Sequence, residues 1–267
     1  SVRFRDGRPR AAHRFRRSMS DRTKSRIALA LAASLISLAL AVSASTLILT
    51  ERASSTSPDP LGTCEEAVQD DGFESIDWDY WLSVNPDIIG WINVPGTGID
   101  YPIVQGSSGD PGYYLHHNAS KRWDYHGAPY LTWECAEGGL LHSPNALVFG
   151  HHLQDGTMFS KLSGFIDVAY MDEHTPIQIQ TPTEKANLTV LAVDRVNANR
   201  ETARIEFDTA SDHATWLASV TAASDTNLIS EGFDFGSVKN VVTLCTCSYS
   251  TWGNERTLLY CSIEMVP

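Results

Sequence analysis

Apolar residues fall along this chain in three successive textures. The first is continuous: from Ile27 to Leu49 run 23 residues of Ala, Leu, Ile, Val, Ser and Thr without a charge. A helix of that length spans about 34 Å at ~1.5 Å per residue, enough to cross a hydrocarbon core of about 30 Å. Arg22, Lys24 and Arg26 flank its N-terminal side. The positive-inside tendency therefore predicts a cytoplasmic segment at 1–26, a single-pass anchor at 27–49 and a body outside the membrane. A cleaved signal peptide is the competing reading, because Val42-Ser43-Ala44 resembles a small-residue cleavage site; the length of the run favours the anchor. Residues 50–64, rich in Ser, Thr and Pro, predict a stalk.

The second texture has a helical period. Ile76, Tyr80 and Val84 stand four apart with Trp81 on the flank, predicting a helix over 73–84 that Asn85-Pro86-Asp87 stops. The third texture is short and strand-like. Residues 88–94 and 99–105 flank Pro95-Gly96-Thr97-Gly98, a strong turn signal, and Pro102 suggests an edge or bulge position. Further strands are predicted at 128–133, 146–149, 177–181, 187–196, 204–207, 241–247 and 256–264. A short helix is predicted at 159–165. A longer one lies within 209–229, with Trp216, Leu217 and Val220 apolar. Many short strands with few helices predict a mainly β fold, a closed or nearly closed barrel in one extracellular domain over 65–267.

Charge sharpens the division. Ten of the 20 Lys/Arg and two of the 32 Asp/Glu lie within residues 1–26, leaving ten basic against 30 acidic residues, a net of −20. A body so acidic is not that of a nucleic-acid binder. Five cysteines are too few for a disulfide scaffold, and an odd number in an exported chain predicts at least one free thiol. Cys64 and Cys135 are candidates for a bridge.

The predicted strand at 241–247 ends in Cys247, and Arg256 opens the next strand nine residues later. If the two strands form a hairpin, these residues sit side by side at its mouth. Alternation puts Thr243, Cys245 and Cys247 on one face, and Arg256, Leu258 and Tyr260 on one face of the partner. A guanidinium beside a sulfur favours thiolate and can donate to a developing oxyanion. By spacing alone, a packed strand cysteine and a surface arginine are the favoured reading. The strand at 146–149 runs into Gly150-His151-His152, where glycine permits a sharp turn and either imidazole can act as acid and base. His116, His117, His126, His142, His151, His152 and the cysteines also offer metal ligands. No His-Glu-x-x-His or Cys-x-x-Cys spacing occurs, so no metal is expected.

Together these segments resemble the class B sortases. Thr243-Leu244-Cys245-Thr246-Cys247 matches that family's Thr-Leu-x-Thr-Cys signature, and Arg256 follows as in the family. Gly150-His151 with Asp155-Gly156-Thr157-Met158-Phe159, and Asn85 to Ile92 running into Pro95-Gly96-Thr97 and Tyr101-Pro102, are similar to the class B pattern. Tyr113-Tyr114-Leu115 adds to it. The resemblance spans roughly residues 73–264. It implies Cys247 as nucleophile, His151 rather than His152 as general acid and base, and Arg256 as stabiliser of the oxyanion and substrate. Thr246 is implied to help position the oxyanion, and Thr243, Leu244 and Ser248 to lie at the substrate site. Class B members often carry Asp directly after the cysteine; Ser248 departs from that pattern. The helix within 209–229 fits the extra helix between late strands of this class.

The activity so implied is a membrane-anchored cysteine transpeptidase. It cleaves the C-terminal sorting signal of secreted proteins and joins the acyl-Thr to an amine of a peptidoglycan precursor or a pilin. A surface endopeptidase that only hydrolyses, and a non-catalytic surface binding protein with the same barrel, are the alternatives.

Overall fold

The computed structural model describes residues 71–199, 203–249 and 253–267. The predicted cytoplasmic segment, anchor and stalk lie outside them. Among the described residues no helix is long and apolar enough to cross a membrane.

Helix α1 (Trp78–Val84) begins five residues later than its periodicity predicts. Asp77 fixes that start, its carboxylate accepting from the Tyr80 N–H at 2.9 Å. Strands β1 (Ile88–Val94) and β2 (Ile99–Gln105) form the predicted hairpin. Gly96 and Gly98 hold φ of +73° and +78° in its turn, a region that suits glycine. Pro102 costs β2 no ladder bond, because its second neighbour β3 (Tyr130–Leu131) reaches only Val104 and Gln105. β3 is shorter than the predicted 128–133, since the chain coils into a 3-10 turn at Trp133–Cys135.

Next come α2 (Gly139–His142), β4 (Asn145–Gly150), a 3-10 helix at Ser160–Ile166, α3 (Val168–Glu173), β5 (Ile177–Gln180) and β6 (Lys185–Asn197). Helix α4 (Ala210–Ala223), β7 (Thr226–Asn227), β8 (Val241–Ser248) and β9 (Glu255–Val266) complete the domain. The strands run in the order β5-β1-β2-β3-β4-β8-β9-β6, and β5 pairs with β6 to close a ring of eight; β7 is added to the side of β6. The ladders β2–β3 and β4–β8 are parallel and the others antiparallel. Alternate residues fill the interior: Ile92, Ile103, Val148, Ile179, Leu188, Leu244 and Leu259 are all fully buried. Each contributes about 1.5–3 kcal/mol relative to exposure.

The outer face of β4, β8, β9 and β6 is partly covered too. Leu147, Cys245, Leu258 and Tyr260 form a second apolar layer with Trp216 and Val220 of α4. His213, Leu217 and Thr221, four apart, are the buried stripe of that helix, and Thr209 caps it by accepting from the Asp212 N–H at 3.1 Å. The predicted strand at 204–207 does not form. Asn145 donates to the Arg204 carbonyl at 2.7 Å, Arg204 pairs with Asp212, and its guanidinium lies 4.7 Å from the Phe207 ring. Side chains thus hold this segment where no neighbouring strand is available.

Candidate active site

Register across three neighbouring strands builds the site. In the parallel β4–β8 ladder, Gly150 stands opposite Thr246, so His151 and Cys247 each follow a paired residue. In the antiparallel β8–β9 ladder, Cys247 stands directly opposite Arg256. His151, Cys247 and Arg256 therefore form one row at the strand ends, with backbones about 4.8 Å apart from strand to strand. The row beneath, on the same outer face, is Tyr130, Phe149, Cys245 and Leu258.

The end of β4 is held firmly. Thr246 Oγ1 donates to the Gly150 carbonyl at 3.0 Å, and the Phe159 N–H donates to the His151 carbonyl at 2.9 Å. Gly150 is required here: a Cβ would stand 2.4 Å from the Phe159 ring. The His151 ring is bonded through Nε2 to the Leu115 carbonyl at 2.7 Å. A carbonyl only accepts, so Nε2 carries the proton and Nδ1 is left as the basic nitrogen. Burial lowers the His151 pKa against the pull of the Leu115 bond, and His116, His126 and Arg256 add to the lowering. The imidazole is accordingly neutral near pH 7.

The cysteines differ in setting. Cys247 is half-buried, whereas Cys135, Cys245 and Cys261 are buried. Burial pushes the Cys245 thiol up to about 12, with Arg256 opposing it. Cys135 donates its thiol proton to the Asn145 carbonyl at 3.3 Å. Its suggested bridge partner, Cys64, lies outside the described residues. Arg256 is held by its own strand, donating from Nη1 to the Glu255 carbonyl at 3.0 Å.

The other residues named from sequence are spent on structure. Thr243 donates to Asn145 Oδ1 at 2.6 Å and is fully buried. Leu244 faces the barrel interior. Thr246 is occupied by the Gly150 carbonyl, and Ser248, also buried, accepts from Thr257 Oγ1 at 3.0 Å. All four are buried, and none of the three hydroxyls is presented to the surface.

Sequence reasoning missed Tyr249. It is 61% exposed, and partial burial first, then the neighbouring Cys247, raises its pKa. Its position two residues beyond Cys247, on the same face of an extended chain, was the available signal. It also missed Tyr130, whose pKa burial raises and on which Cys245, Cys247 and Arg256 act electrostatically. His116 lies beside His151 with ring centroids 6.2 Å apart, and three other histidines disperse. His117 stacks on Tyr113 at 3.8 Å, His142 meets Glu184, and His126 bridges Asp124 and Asp155. Among the described residues no three His, Cys, Asp or Glu side chains converge as metal ligands.

The chain is similar to known proteins in sequence and in fold. The Sortase domain family model matches residues 92–264. Sortase B of Listeria monocytogenes is 27% identical over 166 residues, 61% of this chain and 64% of the relative. The chain thus spans just under two thirds of that relative. Sortase B of Staphylococcus aureus is 25% identical over 175 residues, 66% of this chain and 67% of the relative. The crystal structure of Clostridium perfringens sortase B superposes with a TM-score of 0.62 at 25% identity, covering 70% of this chain and 98% of that one. A Staphylococcus aureus sortase B–substrate complex gives 0.61 at 22% identity, covering 71% and 85%.

Proposed function

The chain belongs to the sortase family, and from that premise we propose that it is a cysteine transpeptidase of the cell surface. The observation that most supports this is the row His151, Cys247, Arg256 on adjacent strand ends, with the nucleophile the more accessible of the two thiols on its face. Neutral His151 takes the Cys247 proton through Nδ1. The thiolate attacks the carbonyl of a Thr in the sorting signal of a secreted protein. Arg256 and a backbone N–H stabilise the oxyanion. The imidazolium then gives its proton to the leaving amine, and a thioacyl enzyme remains.

An amine of a peptidoglycan precursor or a pilin completes the cycle. Its nitrogen bonds the acyl carbon, the carbon–sulfur bond breaks, and His151 takes the amine proton. In this reading residues 27–49 anchor the chain in the cell membrane, with 1–26 inside and the domain outside. Class B likeness favours a signal of the Asn-Pro-x-Thr type.

Product analysis tests the reading. The protein is incubated with Asn-Pro-x-Thr and Leu-Pro-x-Thr peptides, with and without an amine acceptor. A ligated product that needs the acceptor is the expected result. Cleavage with no ligation by any acceptor would contradict transpeptidation and favour an endopeptidase.

A further inference from the structure

The proposed transpeptidase reaction has a second substrate, and the geometry bears on where it binds. In the row His151, Cys247, Arg256, the oxyanion develops beside Arg256. The amine that leaves or attacks stands beside His151, the group that exchanges its proton. The acceptor therefore approaches across the end of β4.

Beyond that end lies an open cavity of about 360 Å³, lined by His152, Gln154, Gly156, Lys161, Ser163 and Tyr170 with their neighbours. Two side chains connect it to the nucleophile. Tyr249 follows Cys247 by two residues at the end of β8, and the His152 ring packs edge-on against Tyr249 with centroids 5.8 Å apart.

The polar groups of this cavity are largely unspent. Among the described residues no ion pair engages Lys161, and neither the Gln154 amide nor the Tyr170 hydroxyl makes a hydrogen bond. His152 Nδ1 is buried without a partner. Asp155, the acidic residue on the same loop, is turned away to His126 and Thr157. Lys161 lies across Gly156, where a Cβ would stand 3.5 Å from Nζ. An ammonium, an amide and a phenol without partners are complementary to a carboxylate. On a body of net −20 beyond residue 26, an unpaired cation also offsets the repulsion that an anionic peptide meets.

We propose that this cavity is the acceptor subsite, and that Lys161 favours an amine-bearing peptide with a carboxylate a few residues from its reacting nitrogen. Lys161 touches neither the thioester nor His151, so its effect falls on acceptor binding.

The test compares short oligoglycine acceptors ending in a carboxylate with the same acceptors ending in an amide, for the wild type and Lys161→Gln. Thioacyl formation with the sorting-signal peptide is measured separately. The wild type is expected to show a KM for the carboxylate acceptor lower by roughly threefold to tenfold, as for a partly exposed charge-assisted hydrogen bond. Lys161→Gln should remove that gap by raising the carboxylate KM, leaving kcat and thioacyl formation unchanged. Equal KM values in the wild type, or a gap kept in the variant, would overturn the subsite while leaving the transpeptidase reading intact. No thioacyl adduct in either protein would remove that reading and the subsite with it.

Discussion

Cys245 and Cys247 lie two residues apart on one face of one strand, yet their surroundings separate them. Cys245 is buried in the apolar layer beside Phe149 and Leu258, its thiol pushed up to about 12, while Cys247 is half-exposed opposite Arg256. Native-state alkylation with iodoacetamide followed by peptide mapping should therefore modify Cys247 and spare Cys135, Cys245 and Cys261; modification of Cys245 at a comparable rate would contradict this. Arg256 has a transition-state role in the proposed chemistry. Arg256→Ala is expected to lower kcat by about 10²–10³, or ~2.7–4 kcal/mol, with little change in KM. Arg256→Lys should recover only part, because an ammonium lacks the planar fork. The three candidate catalytic residues were legible because each sits in a short contiguous motif. The Leu115 carbonyl was not, because only folding brings it to His151, 36 residues away in sequence.

The end of β4 is the element on which the candidate site turns. Gly150 leaves room for the Phe159 ring, and Gly150→Ala would place a methyl 2.4 Å from it. Overpacking of that kind costs about 1–3 kcal/mol. Because His151 is the next residue, the same substitution should also lower kcat; thermal melts and steady-state rates on one preparation measure both. Unchanged stability would mean that Phe159 is free to move. At this scale the long strands were legible, since β1, β2, β6, β8 and β9 are apolar, β-branched runs bounded by turn residues. The two residues of β3, the short α2 and α3, and the irregular segment at 203–207 were not. Their conformations are set by partners such as Asn145 and Asp212 rather than by a local period.

The whole domain is expected to lose stability when acidified. Burial lowers the pKa of both His151 and His213, the latter held by Nε2 to the Pro144 carbonyl at 2.9 Å. Below about pH 6.5 the unfolded chain takes up protons that these folded imidazoles refuse. Their contribution is thus full above that pH and falls as pH drops toward the folded values. His126 is raised by Asp124 and Asp155 and acts in the opposite direction, but it is exposed and screened. The lowered carboxylates, Asp87 and Asp212 among them, titrate below this window. The melting temperature should fall between pH 7 and pH 5, and less steeply in His213→Gln; a flat profile would contradict the assignment. The barrel class was legible from the number and shortness of the strands. Closure of the ring was expected too, but not that β5 and β6 close it, because that depends on which edges meet across the sequence.

The most direct test is where the acyl group goes. The protein is mixed with a sorting-signal peptide without acceptor, quenched early, weighed intact and digested for mapping, alongside Cys247→Ala. The account predicts an added acyl mass on Cys247 that is absent from the variant. Turnover without any adduct on Cys247, or an adduct that persists in Cys247→Ala, would contradict it.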